Sequence, residues 1–571
     1  MRRDFFSLIA LVFLLIGSAR ATEQDLRSHV NYLCSDALGG RLTGSAGEKL
    51  ATQYIATQFQ KLGLVPAGDN GTYFQEFDFT AGIALGKNNF LVITNKKGVK
   101  RNLLLNKNWR PLSFSASGAF SNQQLVFAGE GITAPASKKR PAFDSYKNLS
   151  VKNKWVVVLR YSQEKISSER SQQLSPYATL RYKAFTAAQH GAIGIIFLSN
   201  SNELIPLTAD LSNAGIMALS CNDKEILTAN RITGQTDIYK ITRRGRNVLA
   251  KLELTSSTAP IIVVGAHVDH LGHGELNGSL ARADEKGMLH PGADDNASGV
   301  AAVIEAAVSL THLKTQGLLR GNKNILFAAW SGEEVGILGS THFVKNYLQS
   351  SSNKTLRPGI DVALNLDMVG HLKDKLVVQG TGSSTDWPEL LKHSPIPLIT
   401  QSDPYLPTDS TAFYLKGVPT LNLFTGASDA YHSPRDIPTT LNYQGIKNIS
   451  EFLVGLILKL EDQPKLISFR SIKKTYAANV REYKIYLGTI PDYSSPDTQG
   501  VKLSGVAKNS PAEQAGLKQN DVIIMLAGRK IHDIYDYTYV LNALHAGQPV
   551  KLLVLRGESR VALTIVARYR E

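Results

Sequence analysis

Apolar residues along this chain fall into two kinds of run. Four are short: the continuous, β-branched Ile261 to Val264, and the largely apolar Asn324 to Trp330, Asp361 to Leu366 and Thr420 to Phe424. Their length and composition predict strands buried on both faces of a parallel sheet. The others keep helical spacing. Leu50, Tyr54, Ile55, Phe59 and Leu62 share one face behind the capping box Ser45-Ala46-Gly47-Glu48, and the run stops at Gly63. Segments around Leu26 to Leu33, Val300 to Leu310 and Asn448 to Leu460 read as further helices. Together they predict an α/β domain, a mixed and largely parallel sheet flanked by helices.

Two changes of pattern divide the chain. From about Lys107 to Lys251 the runs shorten to strands such as Gln124 to Phe127, Trp155 to Arg160, Ile193 to Leu198 and Ile216 to Ser220. This reads as a domain, 107–251, inserted between the two parts of the first, 22–106 and 252–460. After Leu460 a polar stretch, 461–480, breaks the apolar periodicity and reads as a linker. Val550 to Leu555 and Val561 to Val566 then supply strands for a separate domain, 481–571.

The residues just past the buried runs carry chemistry. His267 lies in Val-Val-Gly-Ala-His-Val-Asp-His, Glu334 in Ser-Gly-Glu-Glu-Val-Gly, Asp367 in Asn-Leu-Asp-Met-Val-Gly and His432 in Tyr-His-Ser-Pro-Arg-Asp. Asp295, in Gly-Ala-Asp-Asp-Asn-Ala-Ser-Gly, precedes the helix at Val300, whose amino end favours anionic side chains. Open α/β sheets place their sites outside the carboxyl ends of the strands, so these remote segments can converge. Two imidazoles and three carboxylates suit two zinc ions that share one carboxylate. Glu333 supplies a base beside them, so the chain reads as a hydrolase. His273, His290 and His342 fall outside the pattern and read as ordinary loop or core histidines.

In this order and combination, the segment His267 to Asp436 resembles the M28 family of di-zinc aminopeptidases. The resemblance implies an enzyme that removes N-terminal residues from peptides and proteins with two zinc ions. It makes Asp295 the bridging carboxylate, with Glu334 and His432 on one zinc and His267 and Asp367 on the other. Glu333 matches the general base, Asp269 a carboxylate that orients His267, and Tyr431 a stabiliser of the oxyanion. A cis peptide bond is implied between Asp269 and His270. One departure touches the outer site: Thr408-Asp409-Ser410 stands where many relatives have Ser-Asp-His. Gly39-Gly40-Arg41-Leu42-Thr43-Gly44 resembles the opening of the same domain. The alternatives are an M28-like glutaminyl cyclase, which uses one zinc, and a non-catalytic peptide-binding adaptor.

The inserted segment resembles a protease-associated domain in Phe127-Ala128-Gly129-Glu130-Gly131-Ile132 and Ala187-Ala188-Gln189-His190-Gly191-Ala192. The last segment resembles a PDZ domain, through Tyr486-Leu487-Gly488-Thr489, Ser510-Pro511-Ala512-Glu513-Gln514-Ala515-Gly516-Leu517 and Asp521-Val522-Ile523. That implies a groove which captures C-terminal peptides by strand addition, or which packs against the chain's own protease domain.

Composition narrows the setting. A chain of 571 residues with 43% hydrophobic content holds about three or four domains. Arg2 and Arg3, the apolar stretch Phe5 to Ile16 and Ala19-Arg20-Ala21 predict a signal peptide over 1–21. The stretch is shorter than the ~20 residues of a membrane span. No cysteine near the cut offers a lipid anchor. The expectation is an exported bacterial protein, periplasmic or secreted, with no stable membrane anchor. Its formal net charge of +15 is scattered rather than gathered into a patch, which argues for a basic surface and against nucleic-acid binding. Cys34 and Cys221 read as buried free thiols, with a disulfide as the alternative that export permits.

Overall fold

The computed structural model describes residues 22–569 except 276–277, 351–354, 473–484, 492–499, 507–509 and parts of 135–140, 161–176, 200–215 and 532–548. The expected signal peptide lies outside the described residues. The chain divides into two compact units, Met1–Asp78 with Arg244–Glu571, and Phe79–Arg243.

The first unit contains a sheet whose strands run in the order Val65–Pro66, Ile238–Leu252, Asn324–Trp330, Ile261–His267, Ile360–Leu366, Thr420–Phe424, Leu376–Gln379 and Leu398–Gln401. The four runs read as buried strands lie side by side and parallel, with Val264 opposite Phe327 and Leu364 opposite Leu421. Alternate residues serve opposite faces. Val264, Phe327 and Leu364 join Ile55, Phe59, Val303, Leu310, Ile449 and Leu453 in one core. Val263, Leu326 and Ala363 join Phe343, Phe413 and Val418 in another. Both faces are covered, which is why these strands carry no polar alternation.

Helix Ala46–Lys61 starts where the capping box predicts, with the Ser45 hydroxyl accepting from Glu48 N at 3.2 Å. The Glu48 carboxylate, however, turns to Gly44 N, Arg246 N and the Ser331 hydroxyl, tying this helix to the sheet.

The second unit is wider at its amino side and narrower at its carboxyl side than the expected 107–251. Strands Phe90–Asn95 and Lys100–Leu103 pair with each other, and Phe90–Asn95 pairs with Ala229–Thr236, so 79–106 belongs to the insertion. Val248 to Leu252 pair with Ile325 to Ala329, so the end of the expected insertion belongs to the first unit. The second unit's own sheet carries parallel, fully buried strands Trp155–Leu159 and Gly194–Leu198.

The expected linker also begins later. Helix Tyr443–Glu461 ends at Glu461, but the chain stays on the peptide-sheet domain through Ile472. Ile467 is buried, its N–H donates to Asp361 Oδ1, Arg470 N donates to Ser383 O, and Ile472 N donates to the Tyr414 hydroxyl. Polar composition hid these contacts because the backbone makes most of them. Beyond 484 a separate core forms around Leu487, Leu503, Ile523, Leu552 and Ile565. Cys34 and Cys221 are buried and unbridged, and burial raises their thiols to about 11 and about 12. Among the described residues no helix is long and apolar enough to cross a membrane.

Candidate metal centre

Four strands end at one edge of the first unit's sheet, and all the proposed donors but Asp295 follow from those ends. His267 is the last residue of its strand and pairs with Trp330, three residues before Glu333. Asp367 follows the strand Ile360–Leu366 directly. Asp295 comes from an irregular turn, Ala293–Ser298, in which Asp295 and Asn296 leave helical geometry before helix Gly299–Thr315 begins. Asn296 fixes that turn to the neighbouring strand end, donating to Leu366 O and accepting from Met368 N and Gly299 N. Only glycine fits at 299, because a Cβ there would stand 2.4 Å from Asn296 Oδ1 and 2.8 Å from Leu366 O.

The Asp295 carboxylate divides its oxygens. Oδ1 is 3.1 Å from His267 Nε2 and Oδ2 is 3.1 Å from His432 Nε2. His267 Nε2 also lies 3.4 Å from Asp367 Oδ1, and His432 Nε2 lies 3.1 Å from Glu334 Oε2. Donors placed 2.0–2.1 Å from a tetrahedral zinc ion sit about 3.3 Å apart. The donor types and spacings therefore fit two ions, one on His267, Asp295 and Asp367, the other on His432, Asp295 and Glu334. The other ring nitrogens face backbone carbonyls: His267 Nδ1 is 3.2 Å from Asp269 O, and His432 Nδ1 is 3.0 Å from Gly278 O. Such contacts orient ligating imidazoles.

Two buried carboxylates brace the backbone beneath the donors. Asp436 accepts from Asp294 N at 2.8 Å and Asp295 N at 3.0 Å. Asp269 accepts from Glu333 N at 3.1 Å, Glu334 N at 3.3 Å and the Thr43 hydroxyl at 2.8 Å. Arg41, also buried, donates to Val268 O, Pro291 O and Gly292 O, which explains why the segment before the insertion belongs to this domain.

Residues 247–457 match the model of peptidase family M28, and residues 467–566 match that of the PDZ domain. The central segment thus matches the family model of the M28 peptidases. Over 458 residues it is 23% identical to aminopeptidase YwaD of Bacillus subtilis, covering 76% of this chain and 84% of that protein. Over 200 residues it is 30% identical to the probable lipoprotein aminopeptidase LpqL of Mycobacterium tuberculosis, 33% of each chain. Among solved structures it is similar to a zinc aminopeptidase from Bacillus subtilis, with a TM-score of 0.46 and 21% identity over 79% of this chain and 99% of that one.

Charge in the M28 site is unbalanced toward the negative. Burial pushes up the carboxyls of Asp269, Asp294, Glu333, Asp367 and Asp436, and raises Asp409 to about 7. Burial also opposes ionisation of Asp295 and Glu334, but His267 and His432 hold Asp295 well below the usual range, and His432 holds Glu334 at about 2. Burial disfavours charge on the two imidazoles, yet the surrounding carboxylates raise both well above their ordinary value. A buried cluster with excess carboxylates calls for cations.

The M28 geometry alters two expectations, locates Tyr431 and adds a residue. Asp269 does not orient His267 through its carboxylate, whose nearer oxygen is 3.9 Å from Nδ1, because that group is turned to the Glu333 and Glu334 amides. The cis non-proline bond lies between Asp295 and Asn296, not between Asp269 and His270. Tyr431 stacks on His432, ring centroids 3.8 Å apart, and joins an apolar cluster with Met368 and Phe424. The addition is His270, the last residue of the motif Val-Val-Gly-Ala-His-Val-Asp-His. Its Nδ1 is 2.8 Å from Glu334 Oε1. His273, His290 and His342 bond elsewhere, to Gly287 O, to Ser279 and to Asn346.

Proposed function

We propose that the chain is an exported aminopeptidase whose M28 domain uses two zinc ions to cleave N-terminal residues from peptides. The observation that carries this reading is the Asp295 carboxylate, which offers one oxygen to each of two histidine-and-carboxylate groups at 3.1 Å. Bound zinc supplies a Lewis acid and acidifies water near neutrality. Glu333 stands next to the ligand Glu334 with its backbone held by Asp269, and it takes the proton of the attacking water and returns it to the leaving amine. In this reading Tyr431, which stacks on His432, stabilises the oxyanion.

The relatives' description as aminopeptidases and the divided carboxylate both favour this over a one-zinc cyclase. The inserted unit is proposed as a protease-associated module and the PDZ domain as a binder of peptide C-termini. The test uses zinc-loaded protein on a leucyl reporter and its N-acetylated counterpart. Cleavage of the first alone is expected; cleavage of neither, or cyclisation of an N-terminal glutamine, contradicts the reading.

A further inference from the structure

His270 is a buried imidazole that comes as close to Asp295 and Glu334 as a metal donor would, yet the two ligand sets built on His267 and His432 do not use it. We propose that His270 is a positioning residue that turns Glu334 to present a single oxygen to the ion beside His432, and so sets the affinity of that site alone. The inference rests on the two-zinc reading. His270 is 0% exposed, and its Nδ1 lies 2.8 Å from Glu334 Oε1, while the other oxygen, Oε2, lies 3.1 Å from His432 Nε2. A carboxylate only accepts, so Nδ1 is the donor. The 2.8 Å separation is also shorter than the roughly 3.3 Å between two ligands of one tetrahedral zinc, which marks it as a hydrogen bond rather than shared coordination.

The ring is held tightly in that orientation. His270 N donates to Arg41 O, the ring sits edge-on to His432 with centroids 5.8 Å apart, and a Cβ on Gly292 would stand 2.5 Å from His270 Cδ2. Nε2 is buried and meets no polar partner among the described residues. Among the described residues the side chain's one hydrogen bond is therefore the one from Nδ1 to Glu334, and that bond is what orients the ring. The first site lacks a counterpart. Asp367 is 14% exposed, and among the described residues its carboxylate has no hydrogen-bond partner besides His267.

Metal-free full-length wild type, His270→Ala, His270→Asn and His270→Gln are titrated with zinc against a chromophoric chelator. The wild type should take up two ions. His270→Ala should hold one at unchanged affinity and the second about 10- to 100-fold more weakly, the scale for losing a partner behind a ligand. His270→Asn, whose amide nitrogen overlies Nδ1, should restore the second ion. His270→Gln, whose amide reaches the Nε2 position, should behave like Ala. If Ala does not give a cooperative melt, the Asn and Gln variants decide alone. Two ions at wild-type affinity in Ala or Gln, equal weakening of both sites, or failure of Asn to restore overturns the role of His270 while leaving two zinc ions in place. One ion in the wild type overturns the two-zinc reading and this inference with it.

Discussion

The two units each contain buried parallel strands, and only one of them ends in chemistry. In the inserted unit, Trp155–Leu159, Gly194–Leu198 and Met217–Cys221 are parallel neighbours, as are Asn324–Trp330, Ile261–His267 and Ile360–Leu366 in the M28 sheet. The inserted strands are followed by Arg160, Ser199 and Asn222, whose N–H groups continue the backbone pairing to Leu198 O, Cys221 O and Asn108 O. The M28 strands also pair a step further, Val268 N to Trp330 O and Asp367 N to Leu423 O, but they lead into His267, Glu333 and Asp367, and buried carboxylates accept the amides of the loops around them, Glu333 N at Asp269 and Asp294 N and Asp295 N at Asp436. Among the described residues, the groups of side chains close enough to hold a metal, His267 with Asp295 and Asp367 and His270 with Asp295 and Glu334, lie at the M28 sheet. A parallel sheet is thus only a platform. A site also needs donors at the strand ends and buried acceptors that hold the loops when pairing stops.

The strongest way to break the contrast is to remove the proton carrier. Glu333→Gln should keep both metals while turnover falls at least ~100-fold, because an amide can bond the water but cannot carry its proton. Loss of metal in that variant, measured by elemental analysis, would make Glu333 a ligand rather than a base. Next comes a brace. Asp436→Asn leaves one acceptor oxygen for the two amides of Asp294 and Asp295, and zinc affinity should fall about 10- to 100-fold. Asn222→Ala, at the matching strand end of the inserted unit, should leave zinc affinity unchanged. Equal effects in the two variants would erase the distinction between the sheets.

Acidity should weaken the M28 site more gradually. His267 and His432 bind protons more tightly than free imidazole when no metal is present, and each must lose its proton to become a ligand. Zinc affinity should therefore tighten as pH rises and slacken as it falls, by up to about tenfold per unit for each proton displaced. A chelator competition repeated across pH checks this, and a flat profile would mean that the imidazoles are not ligands.

The smallest effect on the site is expected at the boundary with the PDZ domain. A chain ending at Ile472 should keep two metals and normal hydrolysis of a small reporter. One ending at Leu460 loses the buried Ile467 and its bond to Asp361, and should be less stable by about 2–4 kcal/mol in denaturant melts. Equal stability of the two would restore a linker that begins at 461. An Ile472-terminated chain that folds but does not hydrolyse the reporter would show that the PDZ domain completes the site.

The strands and the donors were legible because each leaves a mark in the sequence. Continuous apolar runs of β-branched residues have few fates but a doubly covered strand, and the residues following them, from His267 to His432, stand in distinctive local motifs. What was illegible acts through the backbone. Asp269 and Asp436 bond to amide N–H groups, which every residue but proline carries, so no side-chain pattern announces the pairing. The same holds for 463–472, docked largely by its main chain, and for the insertion's first strands, whose partner Ala229–Thr236 lies more than a hundred residues away. His270 differs: its i, i+3 relation to His267 was visible, but only the fold brings Glu334 against it.

The most direct measurement is a zinc titration of metal-free full-length protein with hydrolysis of a leucyl reporter followed at each addition. Two equivalents should bind, with activity reaching its plateau only as the second is taken up, and Asp295→Ala should bind neither ion tightly because both groups share that carboxylate. A plateau at one equivalent, or an Asp295→Ala protein that keeps one full site, would contradict the bridged pair.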